Sequence, residues 1–380
     1  MNALLLFAII IIGIIVYLIL FKQLPFFPPI PPVTPTPQPI SPTPTRPISP
    51  TPTPPISPTP ILPTRPISPT QPGTVIKYAT IKINMRSRFP LTAAARKPLA
   101  ALPSAPTLPL DFVLPSPYLP TPCLCEHDPV AAEKLVQLRA PVKLFNQWIN
   151  TLNDAIVWDS NAGAQDALLA GLDREFKRGA FMGTLNTQGE LERMLWSIVI
   201  SAIAMRSDKP VSSTIKAWIQ KVINETQAEF LPRKGNLKIW CILSMTIAGL
   251  ALGNTSLIET ASSSWDDVCK NLIIDSGEMP GETERGSRAP QYHEYSCNPL
   301  VTSGFWLRKD NPRLHALVNY VLALDRTLLP KYLPWMALYN TQFGFGKLKN
   351  KAQAQKELDL LLNNPMTVCS LGGNVYWQIS

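Results

Sequence analysis

Histidine is nearly missing from this chain, with three in 380 residues, at His127, His293 and His315. No H-E-x-x-H pair is present, so helix-borne zinc hydrolysis has no ligand set. No G-x-S-x-G elbow occurs, which removes the common serine hydrolase arrangement. A phosphate-binding glycine loop is absent as well, because Gly344-Phe345-Gly346 lacks the strand-to-helix setting such a loop needs. The six cysteines (Cys123, Cys125, Cys241, Cys269, Cys297, Cys369) form no C-x-x-C or Cys/His metal spacing. Cys123 and Cys125 are too close in sequence to bond each other easily. Cys241, Cys269 and Cys297 fall in apolar helical stretches and read as buried free thiols. The sequence calls for no metal and no cofactor.

Acid is the second shortage. No Asp or Glu precedes Asp111, while nine Lys or Arg do: Lys22, Arg46, Arg65, Lys77, Lys82, Arg86, Arg88, Arg96 and Lys97. Subtracting those 9 from the 35 basic residues leaves 26, which the 26 acids balance. The net charge of +9 therefore belongs to the N-terminal part, and the rest is formally neutral. That distribution argues against a nucleic-acid partner and for a basic tether near an anionic membrane surface.

What is abundant is proline, with 41 in all and 21 of the 49 residues from Leu24 to Pro72. The octamer PTRPISPT occurs at Pro44–Thr51 and again at Pro63–Thr70, with PPISPTP between them. Such sequence prefers extended polyproline II and acts as a semi-rigid spacer. P-x-x-P ligand motifs for small recognition domains are the sharper alternative. Ahead of it, Ala3–Phe21 is a run of 19 residues without a charge, long enough to cross a bilayer. It has no basic n-region and no small-x-small site after it, so an uncleaved anchor fits better than a signal peptide. Lys22 and the basic stalk favour a cytoplasmic C-terminus by the positive-inside rule. The opposite orientation would place the domain outside the cytoplasm, at a cell surface, in a periplasm or on a viral envelope. The division expected is therefore an anchor over 1–23, a stalk over 24–122 and a globular domain over 123–380.

Thr74–Met85 alternates as one short strand would, and Leu99–Pro122 returns to proline-rich chain. Beyond Pro129 the apolar spacing is three and four throughout. It predicts helices over Val130–Ile156, Gln165–Lys177, Gln188–Met205, Val211–Glu229, Asn236–Leu252, Ser256–Asn271, Pro290–Leu307, Pro312–Leu328 and Lys351–Leu362. The fold class expected is all-α, a toroid or an irregular bundle.

Chemistry gathers in Ser287–Leu300, SRAPQYHEYSCNPL. Pro290 suits the first turn of a helix, and a helix from there puts Tyr292 and Tyr295 on one face with Arg288 at the entrance. An arginine, a histidine and two tyrosines within two turns suit binding a carboxylate and moving a proton on an acidic sugar. The stretch resembles the R-A-x-x-Y-H-N-Y signature of the alginate lyase family. Ser276–Glu282 (SGEMPGE) is similar to that family's D-x-x-G-x-x-P-x-E turn, shifted by one residue. Gly235–Trp240 (GNLKIW) lines up with its N-N-H-x-Y-W motif, Leu371–Val375 with a terminal L-G-G-D-V segment, and Pro334-Trp335 with a W-x-E-P region.

The resemblance implies an incomplete (α/α) toroid that cleaves acidic, uronate-containing polysaccharide by β-elimination. The partner expected is alginate-like or glycosaminoglycan-like. Elimination requires neutralising the C6 carboxylate, removing the C5 proton and protonating the leaving oxygen. Carried over by position, Asn236 and Arg288 take the carboxylate, and Tyr295 moves the proton. Phenols titrate near about 10, and neighbouring positive charge favours the phenolate. Tyr292, His293, Lys238, Trp240 and Arg285 line the same wall as substrate-binding residues. The family's histidine falls on Leu237, which accepts no proton. Leu237 therefore raises the alternative of an inactive domain that binds acidic glycan as a receptor or attachment protein.

Overall fold

The computed structural model describes residues 99–116, 128–159, 161–326 and 334–362, all within one unit that begins at Val75. The Ala3–Phe21 run, the strand expected over Thr74–Met85, most of the stalk and the Leu371–Val375 segment lie outside the described residues. Among the described residues, no helix is long and apolar enough to cross a membrane.

The described part is helical. In chain order come α1 (Pro129–Leu138), α2 (Ala140–Asp159), α3 (Ala162–Lys177), α4 (Thr187–Arg206), α5 (Ser213–Phe230), α6 (Asn236–Leu252) and α7 (Thr255–Asn271). After them come a single turn α8 (Pro280–Thr283), a 3₁₀ turn (Gly286–Arg288), α9 (Ala289–Leu307), α10 (Pro312–Ala323), α11 (Pro334–Phe343) and α12 (Lys351–Leu362). Starts are set by side-chain caps. Asp128, Asn161, Asn186, Ser212, Asn254 and Asn311 each accept a backbone N–H from the first turn that follows. The first long helix expected from sequence is two helices, because Pro141 cannot donate to the Gln137 carbonyl and the chain bends at Arg139.

Most consecutive helices pack on one another, and α6 lies at the centre, against α4, α5, α7 and α9. Its sequence is apolar on every side, from Ile239 to Ala248, as a helix enclosed by neighbours must be. A buried polar contact crosses from α4 to α6, Ser197 Oγ to Ser244 Oγ at 2.6 Å.

Residues 99–116, placed by the sequence at the end of the stalk, are bound along the helical domain. Leu108, Phe112 and Leu114 are buried in the common core. The prolines here supply carbonyl acceptors: Trp148 Nε1–H donates to Pro103 O at 2.9 Å, and Phe181 N–H donates to Pro109 O at 2.9 Å. Glycine makes the close approach possible, since a Cβ at Gly189 would lie 1.8 Å from the Phe112 carbonyl oxygen. The β pairing that results is an isolated parallel bridge, Phe112 with Leu185. Docking of 99–116 moves the edge of the globular unit N-terminal to the expected boundary at residue 122.

Candidate active site

Helix α6 begins without a side-chain cap. Gly235 precedes it at φ 75°, ψ −152°, a conformation open mainly to glycine. The cap is replaced from 46 residues away by Glu282, in the α8 turn. The Glu282 carboxylate accepts the Asn236 backbone N–H at 2.8 Å and the Asn236 side-chain amide at 3.0 and 3.1 Å. A Cβ at position 235 would meet Glu282 Oε1 at 2.7 Å, so Gly235 also makes room for the carboxylate. Glu282 is 1% exposed. Ser296 Oγ–H donates to it at 3.4 Å from α9, and Arg285 Nε lies 3.8 Å away. Burying this anion is made tolerable by those donors and by the positive end of α6. The sequence singled out Asn236 but passed over Glu282, although the PGE at the end of the SGEMPGE turn marks it.

Facing α6, helix α9 carries Tyr292 and Tyr295 one turn apart on one side, as the spacing predicted. The Tyr295 ring packs on Trp240 of α6, centroids 4.9 Å apart and planes at 42°. Tyr292 meets Tyr295 edge-on at 6.4 Å, and the Arg285 guanidinium lies over the Tyr292 ring at 4.7 Å. Both tyrosines are half-buried, while Trp240 is buried and its indole N–H has no hydrogen-bond partner among the described residues. Arg288, also half-buried, ends the 3₁₀ turn that leads into α9. One turn beyond Tyr295, Pro299 sits inside the helix and contributes no N–H to the Tyr295 carbonyl. Asn236, Trp240, Arg285, Tyr292 and Tyr295 are thus brought together through α6, α9 and the turn between them.

Two expected wall residues serve the framework instead. His293 is 1% exposed. Its Nε2 accepts the Met279 N–H at 3.2 Å, which puts the proton on Nδ1, donating to Ala289 O at 2.8 Å. With both nitrogens used and its ring against Tyr320 at 4.9 Å, His293 staples α9 to the α8 turn and is not placed to touch a sugar. Lys238 turns toward α7, where its ammonium donates to Asp267 at 2.5 Å and holds that carboxyl below its usual range. Its charge is already matched. Leu237 is half-buried against the core.

Between the two tyrosines in sequence, the buried Glu294 of the same helix joins an ion cluster. Arg326 donates to Glu294 Oε1 and to Glu357 Oε1, each at 2.5 Å, joining α9 to α12. Burial pushes the Glu294 carboxyl up to about 7, with Arg326 opposing and Glu357 adding to the rise. The thiols of Cys241, Cys269 and Cys297 are free, buried and pushed up by the same loss of solvent, so they are inert.

Residues 159–324, from the end of α2 to just past α10, match the model of the alginate lyase family. Over that span the helical domain is similar to that family. Among its curated relatives is a polysaccharide lyase of Stenotrophomonas maltophilia (strain K279a), 24% identical over 212 residues, which span 52% of this chain and 62% of that one. An alginate lyase of Azotobacter vinelandii (strain DJ / ATCC BAA-1303) is 26% identical over 217 residues, 50% of this chain and 58% of that one. The chain thus spans about three fifths of the length of the curated relatives it matches.

The fold agrees. The crystal structure of alginate lyase A1-III from Sphingomonas species A1 superposes with a TM-score of 0.57 at 18% identity, over 80% of this chain and 97% of that one. A tyrosine-to-phenylalanine variant of A1-III complexed with tetrasaccharide gives a TM-score of 0.57 at 17% identity, over 76% and 89%. The helical domain is accordingly an (α/α) toroid, and α6 and α9, which carry the candidate site, fall inside the matched region.

Proposed function

We propose that the domain is a polysaccharide lyase cleaving an acidic, uronate-containing glycan by β-elimination. The observation that carries this reading is the half-buried Tyr295 phenol, set on the Trp240 ring between helices whose entrances hold Asn236 and Arg288. Arg288 and the Asn236 amide bind the C6 carboxylate and stabilise the charge that spreads onto it as the C5 proton leaves. Tyr295 as phenolate takes that proton. The C5 electron pair forms the C4–C5 double bond, the C4–O bond breaks, and the phenol returns its proton to the departing glycosidic oxygen. One residue then does both transfers, which requires proton and leaving group on the same face of the sugar. Buried His293 and apolar Leu237 leave Tyr295 as the base. Ala3–Phe21 and the proline-rich stalk would hold the domain away from a membrane, outside the cytoplasm.

Leu237 favours a second reading, a domain that binds acidic glycan without cleaving it. Tyr295→Phe distinguishes the two. For the lyase it should abolish turnover and leave glycan binding nearly intact. Wild type that binds a uronate glycan, yields no product and matches Tyr295→Phe in every respect would leave only the binding function.

A further inference from the structure

We propose that Glu282 is the positioning residue for Asn236, fixing one N–H of its amide so that the other is aimed at the uronate carboxylate. The inference rests on the lyase reading above and adds the residue that sets its selectivity for acid. A side-chain amide has two N–H groups that diverge widely, whereas the two oxygens of one carboxylate lie close together. The two contacts from Asn236 Nδ2 to Glu282, 3.0 and 3.1 Å, are therefore one N–H shared between both oxygens. The second N–H stays outside the pair. The orientation of the amide is not ambiguous, because its carbonyl oxygen in that place would face an anion. The Asn236 backbone N–H is consumed by the same carboxylate at 2.8 Å, so the start of α6 offers the substrate a side chain rather than a bare helix end.

Charge has to balance for this to select an acidic sugar. Glu282 alone would repel a second carboxylate. Arg285, 3.8 Å from Glu282 Oε2, offsets that charge while its guanidinium lies on the Tyr292 ring, which in turn meets Tyr295. Glu282 is thereby tied to both halves of the site: through Asn236 to α6, and through Arg285 and Ser296 to α9. Being 1% exposed, it touches no substrate itself.

Glu282→Gln tests this with little change in volume. The Gln oxygen can replace Oε1, but its NH₂ then stands where Oε2 accepted from Asn236, donor against donor, and the Asn236 amide must turn. The probes are alginate oligosaccharides and the same oligosaccharides with their carboxyls reduced to alcohols, with binding followed by calorimetry. For the acidic form, E282Q and Asn236→Ala should each weaken binding by roughly tenfold or more, the scale of a bond to a charged group. The double variant should be no worse than Asn236→Ala alone, and the reduced form should be bound alike by all four proteins. Equal losses for both forms, or losses that add in the double variant, would overturn the assignment and make Glu282 a fold residue only.

Should E282Q not fold, wild type still decides. In its NMR spectrum the two Asn236 side-chain protons should differ, one protected and one shifting as acidic oligosaccharide is added. If both shift together, Glu282 does not hold the amide. Wild type that binds neither form refutes the glycan reading itself, and this inference with it.

Discussion

Raising the pH toward neutrality should weaken the contact between α9 and α12 through a single proton. Glu294 and Glu357 share one guanidinium, that of Arg326, in a pocket where the three side chains are 9%, 0% and 4% exposed. Two carboxylates against one cation leave a net negative charge in low dielectric, and burial lifts the Glu294 carboxyl from 4.5 to about 7. At roughly 1.4 kcal/mol for each tenfold change in proton affinity, that rise corresponds to about 3 kcal/mol. The folded protein holds this proton more tightly than the unfolded chain. The stabilisation is therefore complete below about pH 4.5 and is lost as pH rises through about 7.

Glu294→Gln, permanently neutral, should show no such loss. Urea denaturation of both proteins at several pH values across that interval reads the difference and cancels other groups. Asp173, Asp267 and Asp310, whose carboxyls are held below the usual range by their partners, change charge at lower pH. Parallel pH curves for wild type and Glu294→Gln, or a wild type that gains stability relative to the variant as pH rises, would show that Glu294 does not take up this proton on folding.

Other outcomes follow from the same contacts. Phe112→Ala removes a ring that is 4% exposed and lies 5.3 Å from Phe181, so the denaturation midpoint should fall by the equivalent of about 3–5 kcal/mol. An unchanged midpoint would mean that 99–116 is not part of the folded unit. Leu237→His restores a proton-accepting group at the start of α6 and should raise turnover of a working lyase, while leaving a purely binding domain inactive. Since nothing titrates at position 237, wild-type turnover should climb into the alkaline range without the step near pH 6.5 that a histidine base gives. A bell centred near neutrality would implicate a different base.

Much of the helical framework was legible because its cues are local. Asn161, Asn186, Ser212 and Asn254 cap helices within a few residues of the expected starts. Helix α11 escaped because Trp335, Met336, Ala337, Leu338 and Tyr339 are all buried in succession, so no polar face marks a period. The Tyr292–Tyr295 face was readable from a spacing of three. His293 was not: from sequence it stands beside the tyrosines, but the helix turns it inward onto the Met279 N–H. Glu282 and the Arg326 cluster depend on pairings across 46, 32 and 31 residues, which no local pattern encodes. The docking of 99–116 was masked by its prolines. They speak for a spacer until their carbonyls are seen accepting from Trp148 and Phe181.

The most direct test of the central claim is to incubate the wild-type protein with mannuronate-rich alginate, guluronate-rich alginate and a panel of glycosaminoglycans, following the ultraviolet absorbance of unsaturated uronate ends. Absorbance should grow with at least one uronate polymer and stay flat with Tyr295→Phe. Growth at an equal rate with Tyr295→Phe would contradict the lyase reading, and so would a wild type that leaves every uronate polymer intact.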